Sequence, residues 1–111
     1  MFYEIVSSGY RKALEGVRYK TLVHGERTLL AEFHLDGGAV VPTHAHPHEQ
    51  TGYVVSGHMA FTIGDDHFDA VAGTSWCIPG NMPHGVTVLE DTVVIEVFSP
   101  VRQEYLPERR R

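Results

Sequence analysis

The chain has 111 residues, 42% of them hydrophobic, and a formal charge of −5 at pH 7. That length and apolar content suit a single domain spanning 1–111 with one modest core, and they argue against disorder. The acidic balance argues against a nucleic-acid or anionic-membrane surface, but not against a small anion held in a locally positive pocket.

The opening MFYEIVSSGYRK has no apolar leader core, and no window approaches the ~18 apolar residues of a membrane span. MFYEIV is a natural strand for pairing with another subunit. SGYRKALEG has room for a short helix, limited by its flanking glycines. VRYKTLVHG alternates, placing Val17, Tyr19, Thr21 and Val23 on one side, and TLLAEFHL follows over 28–35 before the turn DGG. AVVPTHAH, TGYVVSG, HMAFTIG, HFDAVAG, TSWCIPG, GVTVLE and TVVIEVFSP are short β-branched or aromatic runs bounded by Gly, Asp, Asn and Pro. IGDDH reads as a hairpin turn. Many short strands without a sustained 3.6-residue period indicate an all-β domain of the sandwich or barrel kind. The basic end PERRR reads as a frayed tail.

Cys77 is the single cysteine, so no internal disulfide is possible, and a reducing cytoplasm is the default. Beside Trp76 in TSWCIP it reads as a small buried core residue. His44 and His46 lie two apart on an expected strand and so share a face. Two enclosed neutral imidazoles without partners are costly, and a metal ion removes that cost. Gln50, after the bend at Pro47, offers an amide oxygen, and His84 opens a later strand after the turn IPGNMP. His44, His46, Gln50 and His84 are therefore the expected metal ligands. Glu49 faces away from Gln50 on a strand and is the weaker substitute. His24, His34, His48, His58 and His67 read as ordinary polar residues, with His48 the nearest to the site.

Near the C-terminus, Val94, Glu96 and Phe98 share a strand face, and Arg102 follows beyond Pro100. A carboxyl on an apolar face needs a partner. One reading puts Glu96 outward on an edge strand and Arg102 in a solvated tail. The other makes Glu96 a general acid/base, Phe98 an apolar wall and Arg102 a fork for a carboxylate.

These residues carry a resemblance to the cupin family. Gly38, His44, His46, Gln50 and Gly57 fall on the spacing Gly-X5-His-X-His-X3–4-Glu-X6-Gly, with Gln50 where Glu usually stands. Gly73, Pro79 and His84 fall on Gly-X5-Pro-X-Gly-X2-His-X3-Asn, with Asn81 at the inner glycine's place and Val88 at the last position. The resemblance implies a jelly-roll β-barrel with one divalent transition metal, of the Ni, Zn, Fe or Mn type, near its mouth. With Gln50 neutral, the site keeps nearly the full charge of the ion and attracts an anion more strongly.

HxHPHEQ, PGNxPH and the acid-x-Phe-Ser-Pro-x-Arg ending further resemble the small single-domain cupins of the pectin-degradation (KdgF) type. In those the acid is typically Asp; Glu96 is one methylene longer. This likeness implies conversion of 4,5-unsaturated uronate monosaccharides, the products of polysaccharide lyases, into linear keto acids. A non-haem iron dioxygenase and a non-catalytic sugar- or anion-binding module are the rival readings of the same ligand set. Open sheet edges and a limited core favour a homodimer.

Overall fold

The computed structural model describes residues 1–106; the PERRR tail lies outside them, at 107–111. Eight strands follow one another: β1 (Arg11–Leu14), β2 (Val17–His24), β3 (Leu29–Leu35), β4 (Val40–His44), β5 (Glu49–Ile63), β6 (Asp66–Val71), β7 (Ser75–Ile78) and β8 (His84–Ser99). A 3-10 turn covers Gln103–Tyr105. No helix among the described residues is long and apolar enough to cross a membrane.

The strands make one sheet in the order β1-β2-β3-β8-β5-β6, with β4 added on β8 and β7 on β5. Every pairing is antiparallel. β5 and β8 run through both halves of it. In one half, Thr92–Phe98 of β8 pair with β3, and Glu49–Val54 of β5 pair with β8 and β7. In the other, the start of β8 lies between β4 and the end of β5, which also carries β6. Register shifts between Val54 and Met59 mark where β5 changes from one half to the other.

The closed jelly-roll barrel expected from the resemblance is corrected here. β1 pairs with β2 alone, β4 with β8 alone, and β6 and β7 each with β5 alone, so among the described residues the sheet keeps four free edges and does not close on itself. All four edge strands are short, of 4 to 6 residues. The helix considered for SGYRKALEG is also overturned. Arg11–Leu14 form β1, because pairing with β2 satisfies backbone groups that a flanked single helical turn would leave open. The separate runs TGYVVSG and HMAFTIG are one strand, β5, and GVTVLE and TVVIEVFSP are one strand, β8.

Alternation places the core. β3 reads buried at Leu29, Ala31, Phe33 and Leu35, and β8 at Val88, Thr92, Val94, Glu96 and Phe98. The inward residues of both halves meet in one cluster with Val17, Tyr19, Val54, Met59, Phe61 and Ile78. Cys77 is exposed, against expectation. Its neighbour Trp76 packs inward on Phe61 at 4.8 Å, and the two-residue period then turns Cys77 to solvent.

Candidate functional site

The cluster does not fill the space between the two halves. A cavity of about 550 Å³ is lined by polar groups from three strands and the segment after β8, His44, Gln50, His84, Glu96 and Arg102, beside apolar walls such as Tyr19, Phe33 and Phe98. His44 ends β4 and pairs across with His84, which opens β8. His46 lies in the turn beyond β4 rather than on the strand, so the bend, not the strand period, aims it.

The turn carrying Pro79 to Asn81 locks that bend in place. Asn81 N–H donates to the His46 carbonyl at 2.7 Å. Asn81 has φ 65°, the left-handed conformation that asparagine tolerates better than other side chains. That accounts for asparagine at the family's inner-glycine position.

His44, His46 and His84 offer one ligand atom each, all within 4.8 Å of one another. Their Nδ1 atoms face backbone carbonyls: His44 that of Pro42 at 2.9 Å, His46 that of His48 at 3.1 Å, His84 that of Met82 at 2.8 Å. An Nδ1–H donated to a carbonyl leaves Nε2 as a bare lone pair. His84 Nε2 is buried with no hydrogen-bond partner. Burial pulls the His46 imidazole down to about 4, with the Arg102 and His84 charges adding, and burial also lowers His84. These rings are neutral, the ligating form.

Gln50, 5% exposed, supplies the decisive test of fit. Its Nε2 donates to Glu96, which turns Oε1 toward His46 Nε2 at 3.0 Å. Both facing atoms are acceptors, an arrangement that is unfavourable alone and favourable around a cation. The residues present therefore fit a divalent metal. Glu49 is exposed and takes no part, and His48 stands beside His46, ring centroids 5.5 Å apart, outside the ligand cluster.

Glu96 is inward on an inner strand and 8% exposed, so the edge-strand reading does not describe it. Desolvation pushes its carboxyl up to about 7, against the opposing pull of Gln50, the Trp76 indole and Arg102. Trp76 comes near because Gly52 stands between them in the register, opposite both. A side chain at 52 would run into the indole. A glycine inside a strand pattern signals such an approach.

Arg102 is not in a solvated tail: its side chain is 12% exposed. The guanidinium lies 5.1 Å from the Phe98 ring centroid and 4.3 Å from that of Tyr105. Its Nε is 3.3 Å from Glu104 Oε2, in ion-pair range. Thr21 and Arg11 hydrogen-bond to the carbonyls of Tyr105 and Leu106 and so hold the turn against β1 and β2. Tyr105 and Glu104 were not found from the sequence. The available signal was an aromatic three residues beyond Arg102, one turn away.

The family model for the cupin domain matches residues 31–99. The pectin degradation protein KdgF of Dickeya dadantii is 29% identical over 94 residues, 83% of this chain and 86% of that protein. A KdgF structure from Halomonas sp. superposes with a TM-score of 0.89 at 29% identity, covering 96% of this chain and 100% of the other. An RmlC-like cupin from Shewanella frigidimarina gives 0.85 at 25% identity over 90% of each chain.

Proposed function

The chain belongs to the cupin family, and from that premise we propose that it is a metal-dependent enzyme converting 4,5-unsaturated uronate monosaccharides into linear keto acids. The observation that carries this reading is a cluster of three histidines able to ligate a metal, two of which, His44 and His84, line one cavity with a buried carboxyl and an arginine held over two aromatic rings. The likeness to two KdgF proteins supplies the substrate class.

His44, His46, His84 and the Gln50 amide oxygen would hold one divalent transition metal. When bound, such an ion polarises a substrate oxygen as a Lewis acid. Arg102 would receive the substrate carboxylate, since its fork suits a planar anion and its stacking on Phe98 and Tyr105 fixes its plane. Phe98 walls the sugar ring and excludes water. Glu96 moves the protons. As the ring C1–O bond breaks, the anomeric hydroxyl loses its proton and becomes the aldehyde. The freed enolate then takes a proton at C4 and becomes the ketone, so the step is an isomerisation with no net gain or loss of atoms. A carboxyl titrating near neutrality can both accept and return that proton.

We place the whole chain in one cupin domain acting as a homodimer. The exposed thiol of Cys77 suits a reducing cytoplasm. The test is loss of ultraviolet absorbance from lyase-made unsaturated uronate on adding metal-loaded protein. Acceleration that disappears on chelation, and falls ~10²–10⁴-fold in Glu96→Gln with metal content unchanged, is the expected result. A fully loaded protein that binds the sugar without turnover would overturn the enzymatic reading in favour of a binding module. Oxygen consumption instead of ring opening would favour a dioxygenase.

A further inference from the structure

We propose that Gln50 is the positioning residue of Glu96, so that the glutamine standing in the glutamate's place of the cupin motif is matched to an acid at position 96. The inference builds on the reading of Glu96 as the proton-moving group.

Gln50 and Glu96 are 46 residues apart in sequence yet hydrogen-bonded inside the sheet. The register sets Gln50 opposite Phe98 and Gly52 opposite Glu96, so the two side chains are diagonal neighbours on the inward face. They are 5% and 8% exposed. Among the described residues, Glu96 has no other side-chain hydrogen bond: the Trp76 indole nitrogen is near, but buried without a partner.

The amide presents its NH2 to Glu96. That choice sends the amide oxygen toward His46 Nε2. One side chain therefore aims at the ligand cluster and holds the acid with opposite ends, and neither contact survives an amide flip. A glutamate at 50 would give the metal a charged oxygen. It would lack the amide NH2 that holds Glu96, and two carboxyl groups would face each other out of water.

The two roles of Gln50 separate in Gln50→Glu. If residue 50 only ligates, this variant binds Co(II) at least as tightly as wild type, and its loss of stability without metal simply adds to that of Glu96→Gln. If it also holds Glu96, Co(II) is still bound while kcat falls about tenfold or more, with KM within about twofold. Gln50→Met, which donates nothing and adds no charge, covers the case in which Gln50→Glu does not fold; at saturating metal it is expected to lose kcat in the same way.

The second arm needs neither metal nor substrate. Urea midpoints are measured with chelator for wild type, Gln50→Glu, Glu96→Gln and the double variant, in which the donor and acceptor are exchanged. The double variant is expected to lose less than the two single losses combined. Additive losses, or a Gln50→Glu protein with wild-type kcat, would overturn the proposal. A wild type without uronate turnover would sink the enzymatic reading alone, leaving the cycle to decide whether Gln50 holds Glu96.

Discussion

Glu96 and Glu32 show one residue type pushed in opposite directions by their surroundings. Glu96 is enclosed, and desolvation favours its neutral form. Glu32 points to the other face of the sheet, its side chain 24% exposed, and accepts hydrogen bonds from the Tyr10 hydroxyl and, at 2.9 Å, His34 Nε2. The Tyr10 hydroxyl first, then His34, hold its carboxyl below the usual carboxylate range. A lowered pKa in the folded chain means stability that is present above the unfolded value of 4.5 and is lost as pH falls through the folded value. Tyr10→Phe is therefore expected to destabilise the protein by about 1 kcal/mol at neutral pH. The gap to wild type should close in acid, where Glu32 is protonated in both. Urea unfolding at pH 7 and about pH 3 checks this, since a pH-independent loss would assign the effect to packing of the phenol instead.

At the scale of elements, the bend of β5 is the feature on which the site depends. It lets one strand carry Gln50 into the cavity in one half of the sheet and Met59 and Phe61 in the other. Gly57 sits at the bend with φ 105°, and a side chain there would run into Thr92 and the Asp91 carbonyl. Gly57→Ala is expected to cost more than about 2 kcal/mol, through both the backbone and the clash. Denaturant unfolding reads the loss, and a change below about 0.5 kcal/mol would mean that the bend is set elsewhere.

The same bend shows what the sequence could convey. Glycine at 57 and the acids at 90 and 91 read as strand ends, and local chemistry cannot tell an end from a kink in a continuous strand. Inward and outward positions were legible on β3 and on the second half of β8, because alternation there is regular. Closure was not legible, because the pattern that faces a residue inward is the same whether or not two edges meet. The histidines and Gln50 were legible from spacing. The contacts that give them meaning, Gln50 with Glu96 and Arg102 with Tyr105, depend on register and turn geometry that no short window contains.

For the whole molecule, the outer face of the larger half of the sheet is the unfinished surface. The register sets Tyr53 beside Ile95, and Val97 beside Leu30, all outward. Tyr53 and Val55 remain 49% and 50% exposed. Before β1 the chain runs without regular structure and exposes Met1, Phe2, Tyr3, Ile5 and Val6. Lys20 Nζ donates to the Val6 carbonyl at 2.6 Å, and the Tyr10 hydroxyl donates to Glu32. An apolar arm and an apolar sheet face on one chain suit a second copy, each arm lying on the other's face. A stable pair needs roughly 800 Å² from each partner, which calls for a continuous surface and not scattered residues. Sedimentation equilibrium is expected to give twice the chain mass of 12.4 kDa for wild type and a shift to monomer for Tyr53→Arg. A wild-type monomer would overturn the pairing, and a dimeric Tyr53→Arg would move it to another face. The ligand cluster forms within one chain, and its His44 and His84 line one cavity with Gln50, Glu96 and Arg102. The monomeric variant should therefore bind Co(II) as wild type does, and a loss of binding on dissociation would show that the partner helps to hold the site in shape.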